Sequence, residues 1–121
     1  MIDCVFCHLN KKEILFENEL ALAFFDSFPV SKGHILIIPK RHCEHYFELN
    51  KDEVVAIFEL SLKVRQYLDD KYHPDGYNIG FNVLEAGGQS VMHTHLHVIP
   101  RYLGDVSHPR GGIRKILKKD F

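Results

Sequence analysis

The chain has 121 residues, 45% hydrophobic and 26% charged. That is the composition of one compact domain with its own core, and it excludes a disordered or collagen-like polymer. Fifteen Lys+Arg against sixteen Asp+Glu give a formal net charge of −1, so no bulk field draws the chain to nucleic acid or to an acidic membrane, and any anion must be recognised locally. No apolar run nears the roughly 18 residues of a membrane span, and Met1-Ile2-Asp3-Cys4 lacks the blocks of a signal peptide, so the expected compartment is the cytoplasm.

In chain order, the segment Asp3 to Asn10 holds Cys4-Val5-Phe6-Cys7 and reads as a turn or one helical turn. Ile14 to Glu17 and Leu20 to Phe25 are two apolar runs separated by Asn18-Glu19, which suits a tight hairpin. Asp26-Ser27-Phe28-Pro29 breaks the pattern, Gly33 opens a third run from His34 to Ile38, and Pro39 closes it. Asn50 with Glu53 three residues on is a helix-start signature, because the Asn side chain accepts a free backbone N–H while the Glu reaches back. The helix is expected over about Lys51 to Lys71, with an apolar stripe through Val54, Val55, Phe58, Leu62 and Tyr67 or Leu68. His73-Pro74-Asp75-Gly76 stops it, after which Tyr77 to Leu84 reads as a fourth strand and Val91 to Arg101 as a fifth. One long helix and five strands on short links favour an α+β domain with a five-stranded antiparallel sheet. Residues 1–121 are expected to form that single domain, with 104–121 an irregular C-terminal extension.

The chemistry concentrates in His93-Thr94-His95-Leu96-His97. On a strand, side chains alternate faces, so His93, His95 and His97 are expected to share one face. Three titratable rings on one face cost desolvation, which makes a purely structural row a poor account of them. Just upstream, Gly87-Gly88-Gln89-Ser90 supplies two glycines that let backbone N–H groups approach an anion, plus hydroxyl and amide donors. Cys4 and Cys7 have a spacing that lets both sulfurs reach one tetrahedral Zn2+, which wants two further N or S ligands; the plain alternative is a pair of reduced cysteines. Cys43 is a bystander, His34, His45 and His73 take surface or core readings, and the basic tail with His108, Arg110, Arg114, Lys115, Lys118 and Lys119 reads as a solvated terminus.

The run Gly-Gly-Gln-Ser-Val-Met-His-Thr-His-Leu-His-Val-Ile-Pro-Arg, with Leu22-Ala23-Phe24-Phe25-Asp26, Gly33-His34-Ile35-Leu36-Ile37-Ile38-Pro39-Lys40 and Arg41-His42 in order before it, resembles the histidine-triad family over nearly the whole chain. Thr94 departs from the apolar residue usual there. The resemblance implies the HIT-like fold, with one or two short helices beside the long one, a homodimer, and a hydrolase or transferase acting at the α-phosphate of a purine nucleotide derivative, either a nucleoside phosphoramidate or a dinucleoside polyphosphate. It implies His95 as the nucleophile that forms a nucleotidyl-histidine, with His93, His97, Gln89 and Ser90 as catalytic partners. It implies Asp26 on the ribose, Phe6, Leu9, Phe24 and Ile38 around the base, and Asn82, Gly88, Gln89 and Ser90 as further nucleotide contacts. In the branch carrying the cysteine pair it points to His42 and His93 as the remaining ligands of a structural zinc. Two rival readings are a nucleotide-binding regulatory module with little turnover, and a hydrolase whose catalytic zinc is held by His93, His95 and His97 together.

Overall fold

The structure is a computed structural model and describes residues 3–117. Two 3-10 turns, Val5–His8 and Lys11–Glu13, lead into β1 (Ile14–Glu17) and β2 (Ala21–Phe25). Asn18 makes the hairpin turn itself, its Oδ1 accepting from the N–H groups of Leu20 and Ala21. After β3 (Ile35–Pro39) and a 3-10 turn at Tyr46–Glu48 comes α1 (Lys51–Tyr72), then β4 (Gly76–Phe81), a 3-10 turn at Glu85–Gly87, β5 (Leu96–Arg101) and a final 3-10 stretch at Gly112–Leu117. All pairings are antiparallel and the strand order is β1-β2-β3-β5-β4. Lys118 and Lys119 of the basic tail lie outside the described residues.

The helix starts where its capping signature places it: Asn50 accepts from the Glu53 N–H while Glu53 accepts from the Asn50 N–H, both at 2.9 Å. Glu53 also receives two bonds from the Arg41 guanidinium at 2.8 and 2.9 Å, which ties the chain after β3 to the helix N-terminus and holds its carboxyl below the usual carboxylate range. At the other end His73 adopts a left-handed conformation, φ 52°, ahead of Pro74. The stripe that faces the sheet differs from the expected one. It is Ala56, Ile57, Leu60, Val64 and Leu68 that are buried, whereas Val54, Val55, Phe58 and Leu62 stand exposed. The helix is apolar on two faces, and period alone cannot say which of them meets the sheet.

The sheet is apolar on both sides. Ala21, Ala23, Ile35, Ile37, Leu96 and Val98 pack with the helix in the main core, and the alternate residues Phe24, Leu36 and Ile38 form a second cluster on the opposite face, joined by Phe6, Leu9 and Leu22. Directly paired residues share a face, so His97, opposite Leu36 on one side and Gly80 on the other, belongs to this second face, away from the helix.

The fifth strand is shorter than its sequence suggests. It begins at Leu96, and His93, Thr94 and His95 precede it. Thr94 turns out of the ladder because both its N–H (2.8 Å) and its hydroxyl (3.0 Å) donate to the Cys43 carbonyl. His93, Thr94, His95 and Leu96 are all buried, so the two-residue alternation expected of a strand is absent there.

Candidate functional site

Where β5 gives way to the Thr94 turn, the three histidines separate into different tasks. The His93 ring turns toward the N-terminal segment: its Nδ1 lies 3.4 Å from Cys4 Sγ and 3.5 Å from Cys7 Sγ, and Cys7 Sγ is 3.3 Å from His42 Nδ1. The four ligand atoms all fall within 4.8 Å of one another, while Cys43 is not in the group. Sulfur at about 2.3 Å and nitrogen at about 2.05 Å from a tetrahedral ion stand about 3.6 Å apart, and the printed separations come close to that edge. The ring chemistry fits as well. His93 Nε2 donates to the Pro39 carbonyl at 2.9 Å, so in the neutral ring Nδ1 keeps its lone pair for a metal. The group of Cys4, Cys7, His42 and His93 can hold a metal ion.

His95 is oriented by backbone. Its Nδ1 is 2.8 Å from the His93 carbonyl oxygen, which can only accept, so Nδ1 carries the proton and Nε2 the lone pair. The residue is 4% exposed, with the edge of Phe6 at 5.3 Å between ring centroids. Its Nε2 has no hydrogen-bond partner among the described residues yet is not sealed, since the one buried side-chain polar atom there without a hydrogen bond is the Ser31 hydroxyl. Phe6, placed between the two cysteines, also meets Phe24 at 5.2 Å and His93 at 6.0 Å. Phe6, Leu9, Phe24 and Ile38 are thus brought together in the second cluster, and a cavity of about 380 Å3 opens beside them, lined by Phe6, Leu9, Phe24 and Ser27 among others.

His97 stands 5.0 Å from His95, ring to ring. On its far side is a residue that sequence reasoning set aside. His34, 3% exposed, has its Nε2 3.0 Å from His97 Nδ1 and 3.4 Å from Asp26 Oδ2, and its Nδ1 accepts from the Val30 N–H at 3.1 Å. A lone histidine at a strand entrance carries no pattern; only the pairing of β3 with β5 places it against the triad. Burial, more than the neighbouring rings of His95 and His34, pushes His97 down to about 4, with Asp26 opposing, and burial likewise lowers His34 and His93. These rings are neutral at pH 7. Because His93 faces the cysteines and His97 faces His34, the triad does not converge on one point as a three-histidine zinc site requires.

The glycine loop is braced by hydrogen bonds of its own. Gln89 is buried, and its amide is engaged inside the loop: Oε1 accepts from the Leu84 N–H at 2.8 Å, and Nε2 donates to the carbonyls of Glu44 and Val91. Gly88 has a positive φ of 91° beside the exposed Asn82 side chain. Ser90 is exposed and lines a cavity of about 390 Å3 with His42, Glu44 and Met92, on the side of the metal-ligand group.

Residues 8–104 match the HIT domain family model. The chain belongs to the HIT family. Among solved structures, this HIT protein is similar to a HIT family protein from Bacillus anthracis, with a TM-score of 0.77 and 38% identity over 83% of this chain and 74% of that one. It is also similar to a Zn-bound histidine triad family protein from Mycobacterium smegmatis, with a TM-score of 0.76 and 32% identity over 85% and 78% of the two chains. It is 38% identical over 104 residues to the adenosine 5'-monophosphoramidase hnt1 of Schizosaccharomyces pombe, covering 83% of this HIT protein and 75% of the yeast one.

Proposed function

We propose that this HIT protein is a nucleotide hydrolase or transferase in which His95 Nε2 attacks the α-phosphorus of a purine nucleotide derivative. The observation that carries this reading is the 2.8 Å bond from His95 Nδ1 to the His93 carbonyl, which fixes the tautomer with an attacking lone pair on Nε2, next to a second neutral imidazole. His95 displaces the leaving group to give a nucleotidyl-histidine, and water or another acceptor then takes the nucleotide from it. His97 donates toward the oxygens that gain charge as phosphorus becomes five-coordinate. Ser90 and the backbone of Gly88 add donors from the loop that Gln89 shapes, and His93 contributes the carbonyl that orients the nucleophile. Asp26 accepts from ribose hydroxyls, the apolar group around Phe6, Leu9, Phe24 and Ile38 takes the base, and Asn82 adds a polar contact. The name of the Schizosaccharomyces pombe relative supports a nucleoside phosphoramidate as the first substrate to try, ahead of a dinucleoside polyphosphate.

Zinc is the metal proposed for Cys4, Cys7, His42 and His93: two thiolates and two imidazoles at tetrahedral spacing suit it, and a relative of known structure is Zn-bound. Bound there, the ion serves as a cross-link between three distant stretches of chain.

A homodimer is proposed on the β4 side. β4 is an edge strand, and beside it Ile79, Tyr46, Val54 and Phe58, each at least 39% exposed, surround a groove of about 350 Å3. A second copy meeting the first along this edge satisfies free backbone groups and covers the outward apolar face of the helix together.

The test is His95→Asn. Turnover of an adenosine phosphoramidate is expected to vanish with nucleotide affinity kept, and an acid-quench of the unaltered chain is expected to trap labelled nucleotide on the protein. Near-normal turnover in the variant, or tight binding without any turnover in the unaltered chain, overturns the proposal, the latter in favour of a regulatory binding module.

A further inference from the structure

His97 can serve a developing negative charge only if the nitrogen facing it bears a hydrogen. A neutral imidazole has one N–H and one lone pair, and the two tautomers are close in energy in water, so something in the protein must choose. The choice is legible through three groups. A backbone N–H can only donate, so the Val30 N–H at 3.1 Å makes His34 Nδ1 an acceptor. Neutral His34 therefore carries its hydrogen on Nε2, and at 3.0 Å it donates that hydrogen to His97 Nδ1. His97 Nδ1 is then an acceptor too, and its own hydrogen sits on Nε2, an atom that has no hydrogen-bond partner among the described residues and is not sealed from solvent.

We infer that the loop between β2 and β3 sets the proton of His97, with the Val30 amide acting through His34 as a positioning residue that holds His97 as an Nε2–H donor toward the substrate. The loop is fastened for this task. Asp26 N–H donates to the His34 carbonyl at 3.0 Å, His34 N–H donates to the Ser31 carbonyl at 3.3 Å, and Tyr102 Oη donates to the Lys32 carbonyl at 2.7 Å. His34 itself is 3% exposed, so water does not compete for its nitrogens, and Asp26 Oδ2 at 3.4 Å faces the same Nε2–H. The same assignment tells against a metal held by Asp26, His34 and His97, although their ligand atoms lie within reach of one another. The His34 nitrogen that faces the other two carries a hydrogen and has no lone pair to offer.

The structural part of this inference stands without substrate, whereas its catalytic consequence rests on the nucleotidyl-transfer reading above; the experiment separates them. Long-range proton–nitrogen correlation spectra of the full chain, labelled with nitrogen-15 and free of nucleotide at pH 7.5, read the tautomer of each histidine. The unaltered chain is expected to show His34 and His97 both protonated on Nε2. His34→Gln, whose amide can accept from Val30 and donate to His97, is expected to keep the His97 pattern. His34→Glu, which can only accept, is expected to move the His97 hydrogen to Nδ1, and His34→Leu to leave a mixture. Val30→Pro, at a position 73% exposed, removes the amide hydrogen without touching either ring and is expected to release both tautomers. Turnover of the phosphoramidate is expected to fall roughly 100-fold in His34→Leu, the scale of a positioned proton donor, and to recover at least about 10-fold on going to His34→Gln.

An Nδ1 hydrogen on His97 in the unaltered chain overturns the inference. So does an unchanged His97 pattern in folded His34→Glu, His34→Leu or Val30→Pro chains. Tautomers that behave as stated, together with no nucleotide trapped on His95, uphold the lock and overturn the nucleotidyl reading instead.

Discussion

Gly33 immediately precedes His34, and its replacement by alanine tests how tightly the β2–β3 loop is fitted over the helix. The residue has φ 92°, a conformation open to glycine and strained for any side chain. A Cβ built there meets Leu68 Cδ2 and Tyr72 Cδ2 at 3.0 Å, and Leu68 is fully buried, with little room to give. Backbone strain of this kind costs about 1–3 kcal/mol, and forcing a buried leucine off its rotamer adds about 1 kcal/mol. The opposing effect, a stiffer unfolded chain, returns only about 0.4–1 kcal/mol. Strain wins, and the net loss is about 2 kcal/mol, which lowers Tm by about 8 °C in a domain of this length. Gly76→Ala is the internal control: nothing lies within 4 Å of its added Cβ and its φ is ordinary, so it should be neutral or slightly stabilising. Thermal unfolding followed by circular dichroism measures both. A Gly33→Ala chain melting within about 2 °C of the unaltered protein refutes the reasoning.

Three further outcomes are expected. The His97 ring, held down to about 4 when folded against an ordinary 6.5, binds its proton later than in the unfolded chain; its contribution to stability is complete above pH 6.5 and lost as pH falls toward about 4, by up to about 3 kcal/mol. Urea unfolding at a series of pH values should show a shallower slope in His97→Gln over that window. Cys7→Ser should lower the zinc content of the purified chain and its melting temperature, leaving the unaltered chain with about one equivalent by elemental analysis; equal zinc in both chains counts against the four-ligand set. Phe58→Glu, on the outward helix face, should shift the sedimentation coefficient from dimer to monomer with an unchanged circular dichroism spectrum.

Local signals succeeded where the physics is local. The Asn50–Glu53 reciprocal cap and the His73-Pro74 stop fix the helix within a residue at its end, and the Asn18 turn fixes the first hairpin. Signals failed where a distant partner decides. Nothing near Thr94 announces that the Cys43 carbonyl will draw it out of the sheet, so the apolar pattern from Val91 overruns the last strand, which begins at Leu96. His34 acquires meaning only from His97, which is 63 residues away in sequence. The exposed row Val54, Phe58 and Leu62 has the period of a core stripe, and only contact with the sheet tells the two apolar faces apart. The cysteine pair is the opposite case: spacing alone pointed to a tetrahedral ion, and the fold delivers the two imidazoles that the family resemblance implied.

His93 serves two neighbours through two different parts of itself. Its ring turns to the sulfurs, and its carbonyl holds His95. Only the first service depends on which amino acid occupies the position, because every residue brings a carbonyl. A chain with the two cysteines and this imidazole replaced would therefore still hold the His95 ring by the same backbone carbonyl, so the grouping of possible metal ligands and the orientation of His95 can vary independently of each other.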